Sequence, residues 1–176
     1  MIPATASSLS AALERFCNET LGAWRVSPNQ VQKDYNEEQT LLSGGYADRQ
    51  ILELVQNATD AAIGRSEARI ELRIAGQYLY AANTGAPLDE DGLRALIFGS
   101  LSPKRGEEVG RFGLGFRSLL RLGGTVDFIS GDVAFRFDPP WCAAEARTAA
   151  RLRPDAGAPG MRLGGVYKVI DVRLEP

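Results

Sequence analysis

Glu53-Leu54-Val55-Gln56-Asn57-Ala58-Thr59-Asp60-Ala61 forms the middle of a segment that reads as one helix from Tyr46 to Ile63. Gly44 and Gly45 precede it, and Gly64 is placed to stop it as a C′ residue. Steps of four and three residues put Glu53, Asn57 and Asp60 on one face. At about 100° per residue, Ile51, Val55, Ala58 and Ala62 point the opposite way. An ordinary amphipathic helix would turn that polar face to water. Asn57 disturbs so plain a reading, because asparagine competes for backbone hydrogen bonds and is a poor helix former in mid-helix. Asparagine and carboxylate oxygens on one face also suit a hard cation such as Mg²⁺, which keeps several waters and bridges to phosphate.

On the N-terminal side, Leu9, Leu13, Phe16, Leu21 and Trp24 recur at helical intervals and predict an amphipathic helix over Ser7 to Trp24. Residues 25–38 are polar and read as irregular. On the C-terminal side, the alternation in Ala68 to Ala75, then Gly76-Gln77, then Tyr78 to Ala82 predicts a β-hairpin. Asn83-Thr84-Gly85-Ala86-Pro87 punctuates the chain before a helix over Asp89 to Phe98, and residues 99–109 have the composition of a loop. A glycine-rich turn then leads into the helix FRSLLRL. Val126 to Ser130 and Val133 to Phe137 flank Gly131-Asp132 as a second hairpin. Pro139-Pro140 reads as a break before a helix over Trp141 to Arg153, and Val166 to Leu174 alternates as a last strand. Strands and helices mingle without a βαβ rhythm, which predicts an α+β sandwich with a mainly antiparallel sheet.

Composition narrows the chemistry. The 176 residues are enough for a single domain with its own core, and 44% hydrophobic and 24% charged residues are ordinary for a globular chain. There is no histidine, so Ser-His-Asp and Cys-His catalysis, histidine-ligated zinc and a histidine phosphoacceptor are excluded within this chain. Twenty basic against 22 acidic residues give a net charge of -2, which speaks against non-specific nucleic-acid binding. Cys17 and Cys142 stand alone and read as reduced thiols of a cytoplasmic protein. No apolar run nears the roughly 20 residues that span a bilayer, and the N-terminus lacks the pattern of a signal peptide.

Gly110-Arg111-Phe112-Gly113-Leu114-Gly115-Phe116 opens a helix with a GxxGxG run. Glycines let the backbone approach an anion, and the N–H groups of a helix N-terminus favour phosphate, although tight turns alone also explain such a run. It does not follow a strand of a βαβ unit, and no GK[ST] follows it, so dinucleotide-binding and P-loop readings fail.

ELVQNATDA (Glu53 to Ala61), NTGAP (Asn83 to Pro87) and GRFGLGF (Gly110 to Phe116), in this order, resemble the N, G1 and G2 boxes of the GHKL ATPases. That superfamily includes gyrase, ninety-kilodalton heat-shock chaperones, histidine kinases and mismatch-repair clamps. The sacsin-type branch is the most similar, through Phe128-Ile129-Ser130-Gly131 and Phe135-Arg136-Phe137-Asp138-Pro139 as well. The resemblance covers about residues 40–176 and implies a Bergerat-type two-layer sandwich, with helices on one face of a mainly antiparallel mixed β-sheet. It implies residues 1–40 as an N-terminal helix and arm and residues 41–176 as an ATP-binding domain, the N-terminal part of a longer protein. By the same resemblance, Glu53 is the general base that activates water, Asn57 the Mg²⁺ ligand and Asp60 an acid near the nucleotide. Asn83 and Gly85 lie by the base, and the backbone of Gly110, Arg111, Phe112, Gly113, Leu114, Gly115 and Phe116 cradles the phosphates. Lys104 would neutralise phosphate charge, or is simply a solvated loop lysine. The implied ligands are ATP and Mg²⁺, and the implied partners are further C-terminal domains and a second copy in ATP-dependent self-association, with no membrane and no nucleic acid.

The sequence departs from the family where the base is read. Asn83 replaces the aspartate that accepts from the adenine amino group, Pro87 replaces a glycine, and Val166 stands where many relatives have a supporting threonine. An asparagine carbonyl accepts from an amino group, but its NH₂ equally donates to a keto oxygen. The resemblance therefore points to a slow ATPase that drives a chaperone-like or defence-type machine. The alternative is a nucleotide-binding switch that does not hydrolyse. A histidine kinase is disfavoured by Glu53 and by the missing phosphoacceptor, and a DNA clamp by a sequence pI near 5.3.

Overall fold

The computed structural model describes residues 4–44, 49–98, 114–131 and 133–166. The chain is α+β, and among the described residues every strand pairing is antiparallel. It divides into two compact units: residues 1–36 with 124–176, and residues 37–123.

In the first unit, helix α1 (Ala4–Val26) buries Leu13, Phe16 and Trp24 along one stripe, as its periodicity predicts. Helix α2 (Pro28–Ser43) corrects the expectation of an irregular stretch over 25–38. Its buried positions Val31, Asp34, Glu38 and Leu41 have helical spacing, but two of them are acids, so no apolar period is visible. Pro28 at the first helical position was the available signal. The division between the two units falls inside this helix.

Strands β3 (Val126–Ser130) and β4 (Val133–Phe137) form the second predicted hairpin, and β5 (Gly165–Val166) pairs with β4 through Phe135 and Val166. The rest of the expected last strand, 167–174, lies outside the described residues. Helix α6 (Pro139–Ala150) corrects a second expectation. Its prolines do not break the chain but open the helix, with the Asp138 carboxylate accepting from the Trp141 N–H at 3.1 Å as the N-cap. Helix α1 packs against α6, β4 and β5. Trp24, Val31, Cys142, Ala146 and Leu163 form the core there.

In the second unit, helix α3 (Gln50–Ala62) ends as the sequence predicts, with Gly64 at φ +77° just beyond the cap. Strands β1 (Ile70–Ala75) and β2 (Tyr78–Asn83) pair in register from Ile70 opposite Asn83 to Ala75 opposite Tyr78. Gly76 at φ +58° makes the two-residue turn between them. Helix α4 (Glu90–Phe98) starts at Asp89, whose carboxylate accepts from the Gly92 N–H at 2.8 Å, and it buries Leu93, Leu96 and Ile97. FRSLLRL is a short α5 (Leu114–Arg117) followed by a 3₁₀ turn over Ser118–Leu122, not one regular helix.

Candidate functional site

The sequence leaves two ways to orient α3, and the structure adopts the less ordinary one. Gln50 and Glu53, from the polar face, are buried at 9% and 7% exposure, while Ile51 and Leu52 are 46% and 45% exposed. Asn57 and Asp60 are half-buried. A surface helix follows its apolar stripe into the core. Here Gln50 and Glu53 go inward from the polar set, and the one other buried residue of the helix is Ala58, from the apolar set. Gln50, three residues before Glu53, belongs to the same face and donates from its side-chain amide to the Ser118 carbonyl at 3.5 Å. The spacing rule that selects Glu53, Asn57 and Asp60 selects Gln50 as well; its position outside the conspicuous motif is what hid it.

Helix α3 packs against β2, β1 and α5. Its C-terminal end meets the loop after β2 closely: the Ala86 N–H donates to the Ala61 carbonyl at 2.7 Å. The approach needs a glycine at position 85, where a Cβ would lie 2.5 Å from the Ala61 oxygen and 2.8 Å from the Ala61 Cβ. Thr84 binds the start of β1 twice. Its N–H donates to the Arg69 carbonyl at 3.1 Å, and its hydroxyl oxygen accepts from the Arg69 N–H at 2.9 Å. The Asn83 side-chain oxygen accepts from the Gly85 N–H at 2.9 Å, which closes an Asx turn.

Gly85→Ala is therefore expected to detach this loop from α3, because backbone atoms on the Ala61 side cannot yield as a flexible side chain would. Overpacking of this kind costs about 1–3 kcal/mol. Urea denaturation followed by far-UV circular dichroism checks it, and a variant as stable as wild type would show that the loop does not rest on α3.

The segments that carry Glu53, Asn57, Asp60, Asn83, Gly85 and Phe116 are thus neighbours in one unit. Phe116 is buried in α5, and Leu114 and Gly115 belong to the same short helix. Lys104, Gly110, Arg111, Phe112 and Gly113 lie outside the described residues. Arg117, directly after the glycine run, is 1% exposed and donates from Nη2 to the Ile97 carbonyl at 2.6 Å, tying α5 to the end of α4. No sequence pattern marks a buried arginine there.

Among the described residues no group of three or more histidine, cysteine or acidic side chains is arranged to hold a metal. Asn57 presents a half-buried amide oxygen on α3, and oxygen is the donor type that a hard cation such as Mg²⁺ takes. Cys17 and Cys142 form no disulfide, and burial pushes the Cys17 thiol above its usual range. No helix among the described residues is long and apolar enough to cross a membrane. No family model, curated protein or solved structure matches the chain.

Proposed function

We propose that this chain binds a nucleoside triphosphate with Mg²⁺ and hydrolyses it slowly, in the manner of a GHKL ATPase with a Bergerat-type sandwich. Closure or self-association of a larger cytoplasmic, chaperone-like or defence-type machine would be coupled to that step. The observation that carries the reading is the burial of Gln50 and Glu53 from the polar face of α3, with the Asn83–Pro87 loop hydrogen-bonded to its C-terminal end and α5 packed alongside. A helix that buries Glu53 and Gln50 while exposing Ile51 and Leu52 gives up hydrophobic burial, and a site is a reason to do so.

In this reading Glu53 takes the proton of the attacking water as its oxygen bonds to the terminal phosphorus, and the diphosphate leaves. Asn57 offers its amide oxygen to the metal, which when bound neutralises charge on the phosphates. Asp60 and the Asn83–Gly85 loop border the nucleoside, and the glycine run before α5 offers backbone N–H groups to the phosphates.

Calorimetric titration with ATP, with and without Mg²⁺, tests the proposal; absence of binding in both conditions would overturn it. Asn57→Ala is expected to weaken binding about tenfold when Mg²⁺ is present and to change little in EDTA, since its oxygen acts through the metal. Equal loss in both conditions would make Asn57 a direct nucleotide contact or a structural residue.

The burial of Glu53 favours a second reading, a switch that binds nucleotide without hydrolysing it, because a general base must be reached by water. The two readings separate on turnover alone.

A further inference from the structure

Among the described residues β1 pairs with β2 alone, and every residue of β1 is exposed, Ile74 to 78%. The register fixes which backbone groups point outward. The Thr84 N–H bonds the Arg69 carbonyl, and Ala75 and Tyr78 flank a two-residue turn, so the pairs that bond across to β2 are 69–84, 71–82, 73–80 and 75–78. The N–H and C=O groups of Ile70, Leu72 and Ile74 therefore face away from β2. Edge strands are commonly guarded by a proline, a bulge or a row of like charges. β1 has no proline, its register runs without a bulge, and its two charges, Glu71 and Arg73, are opposite in sign.

We infer that this edge is a homodimer interface, in which β1 of one copy pairs antiparallel with β1 of a second about a two-fold axis beside Leu72. The two hairpins then form one continuous sheet with the β1 strands at its centre. Ile70-Glu71-Leu72-Arg73-Ile74 is its own complement in this arrangement. Leu72 meets Leu72 of the second copy, Ile70 meets Ile74, and each of these pairs exchanges both N–H···O=C bonds, because these are the residues whose backbone groups point outward. Glu71 meets Arg73 on either side of the axis, at the intervening positions where opposed side chains come closest. Moving the axis to Glu71 or to Arg73 would set like charges against each other, which destabilises a strand pair. The backbone groups would accept any strand; the matched charges favour a second copy in this one register. The interface needs no nucleotide and does not rest on the reading above.

Sedimentation equilibrium of the 176-residue chain without nucleotide tests the inference. It is run on wild type, Arg73→Glu, Glu71→Arg and the exchanged pair Glu71→Arg/Arg73→Glu, with circular dichroism to verify folding. Wild type is expected to form dimers. Each single variant opposes like charges at both symmetry-related places and should weaken self-association about tenfold or more. Mixing the two single variants should restore dimers, since the acids at 71 and 73 of one then face the arginines at 73 and 71 of the other. The exchanged pair should self-associate like wild type. A monomeric wild type overturns the inference, as it would if another stretch of the chain covered β1. So do a dimer indifferent to the charge changes, single variants that stay apart when mixed, and an exchanged pair that stays monomeric.

Discussion

Glu53→Gln is expected to lower nucleotide turnover by about 10²- to 10⁴-fold while nucleotide affinity stays essentially unchanged. Glutamine keeps the volume and most hydrogen-bonding capacity of the side chain but cannot take a proton from water. That distinction matters because Glu53 is only 7% exposed. Glu53→Ala would also empty a buried position, and its loss of activity would mix the missing base with the relaxation of α3. Single-turnover phosphate release read beside calorimetric affinity separates the two. If affinity falls as far as turnover, Glu53 holds the nucleotide or the helix and is not the base. If wild type binds nucleotide and releases no phosphate, the non-hydrolysing switch is the correct reading.

The elements of this chain were legible where local chemistry and periodicity agree. Both hairpins follow from alternation around Gly76 and Gly131, and the end of α3 follows from Gly64. α2 was not legible, because its inward face carries Asp34 and Glu38, and a hydrophobic pattern cannot report a face whose buried members are charged. Pro139-Pro140 misled for a different reason: proline ends a helix in its interior but begins one in its first turn, and only the capping bond from Asp138 decides between them.

Within the site, spacing showed which α3 residues share a face but not which way that face turns. Its direction depends on contacts with β2 and α5, far from it along the chain. The part that Asn83 plays in its loop was open in the sequence for the same reason, and only the Gly85 N–H shows its oxygen closing the turn. Gly85 itself could be read as a turn residue. That it also makes room for Ala61 is a fact of packing between distant segments.

The second large effect is expected in the other unit, from Asp34→Ala. The Asp34 carboxylate is buried and takes up three groups: the Trp24 indole N–H at 2.8 Å, the Gln30 amide at 2.9 Å and the Arg162 guanidinium at 3.3 Å. Trp24 is fully buried, and both sides of the ion pair are less than a tenth exposed. Removing the carboxylate takes the anion from a buried guanidinium and the acceptor from a buried indole, and breaking a buried pair from one side costs about 3–5 kcal/mol. Asp34→Asn should cost less, because its amide oxygen still accepts from Trp24. Arg162→Met in the Asp34→Asn background should recover part of that cost, since it removes the cation left behind. Trp24 and Trp141 are the two tryptophans of the chain, and both belong to the unit built from residues 1–36 and 124–176. Tryptophan fluorescence during urea unfolding therefore reports on that unit, while the candidate site residues all lie in 37–123. Asp34→Ala should shift the fluorescence transition to much lower urea, and a shift worth less than about 1 kcal/mol would place the cluster with surface ion pairs, which contribute little.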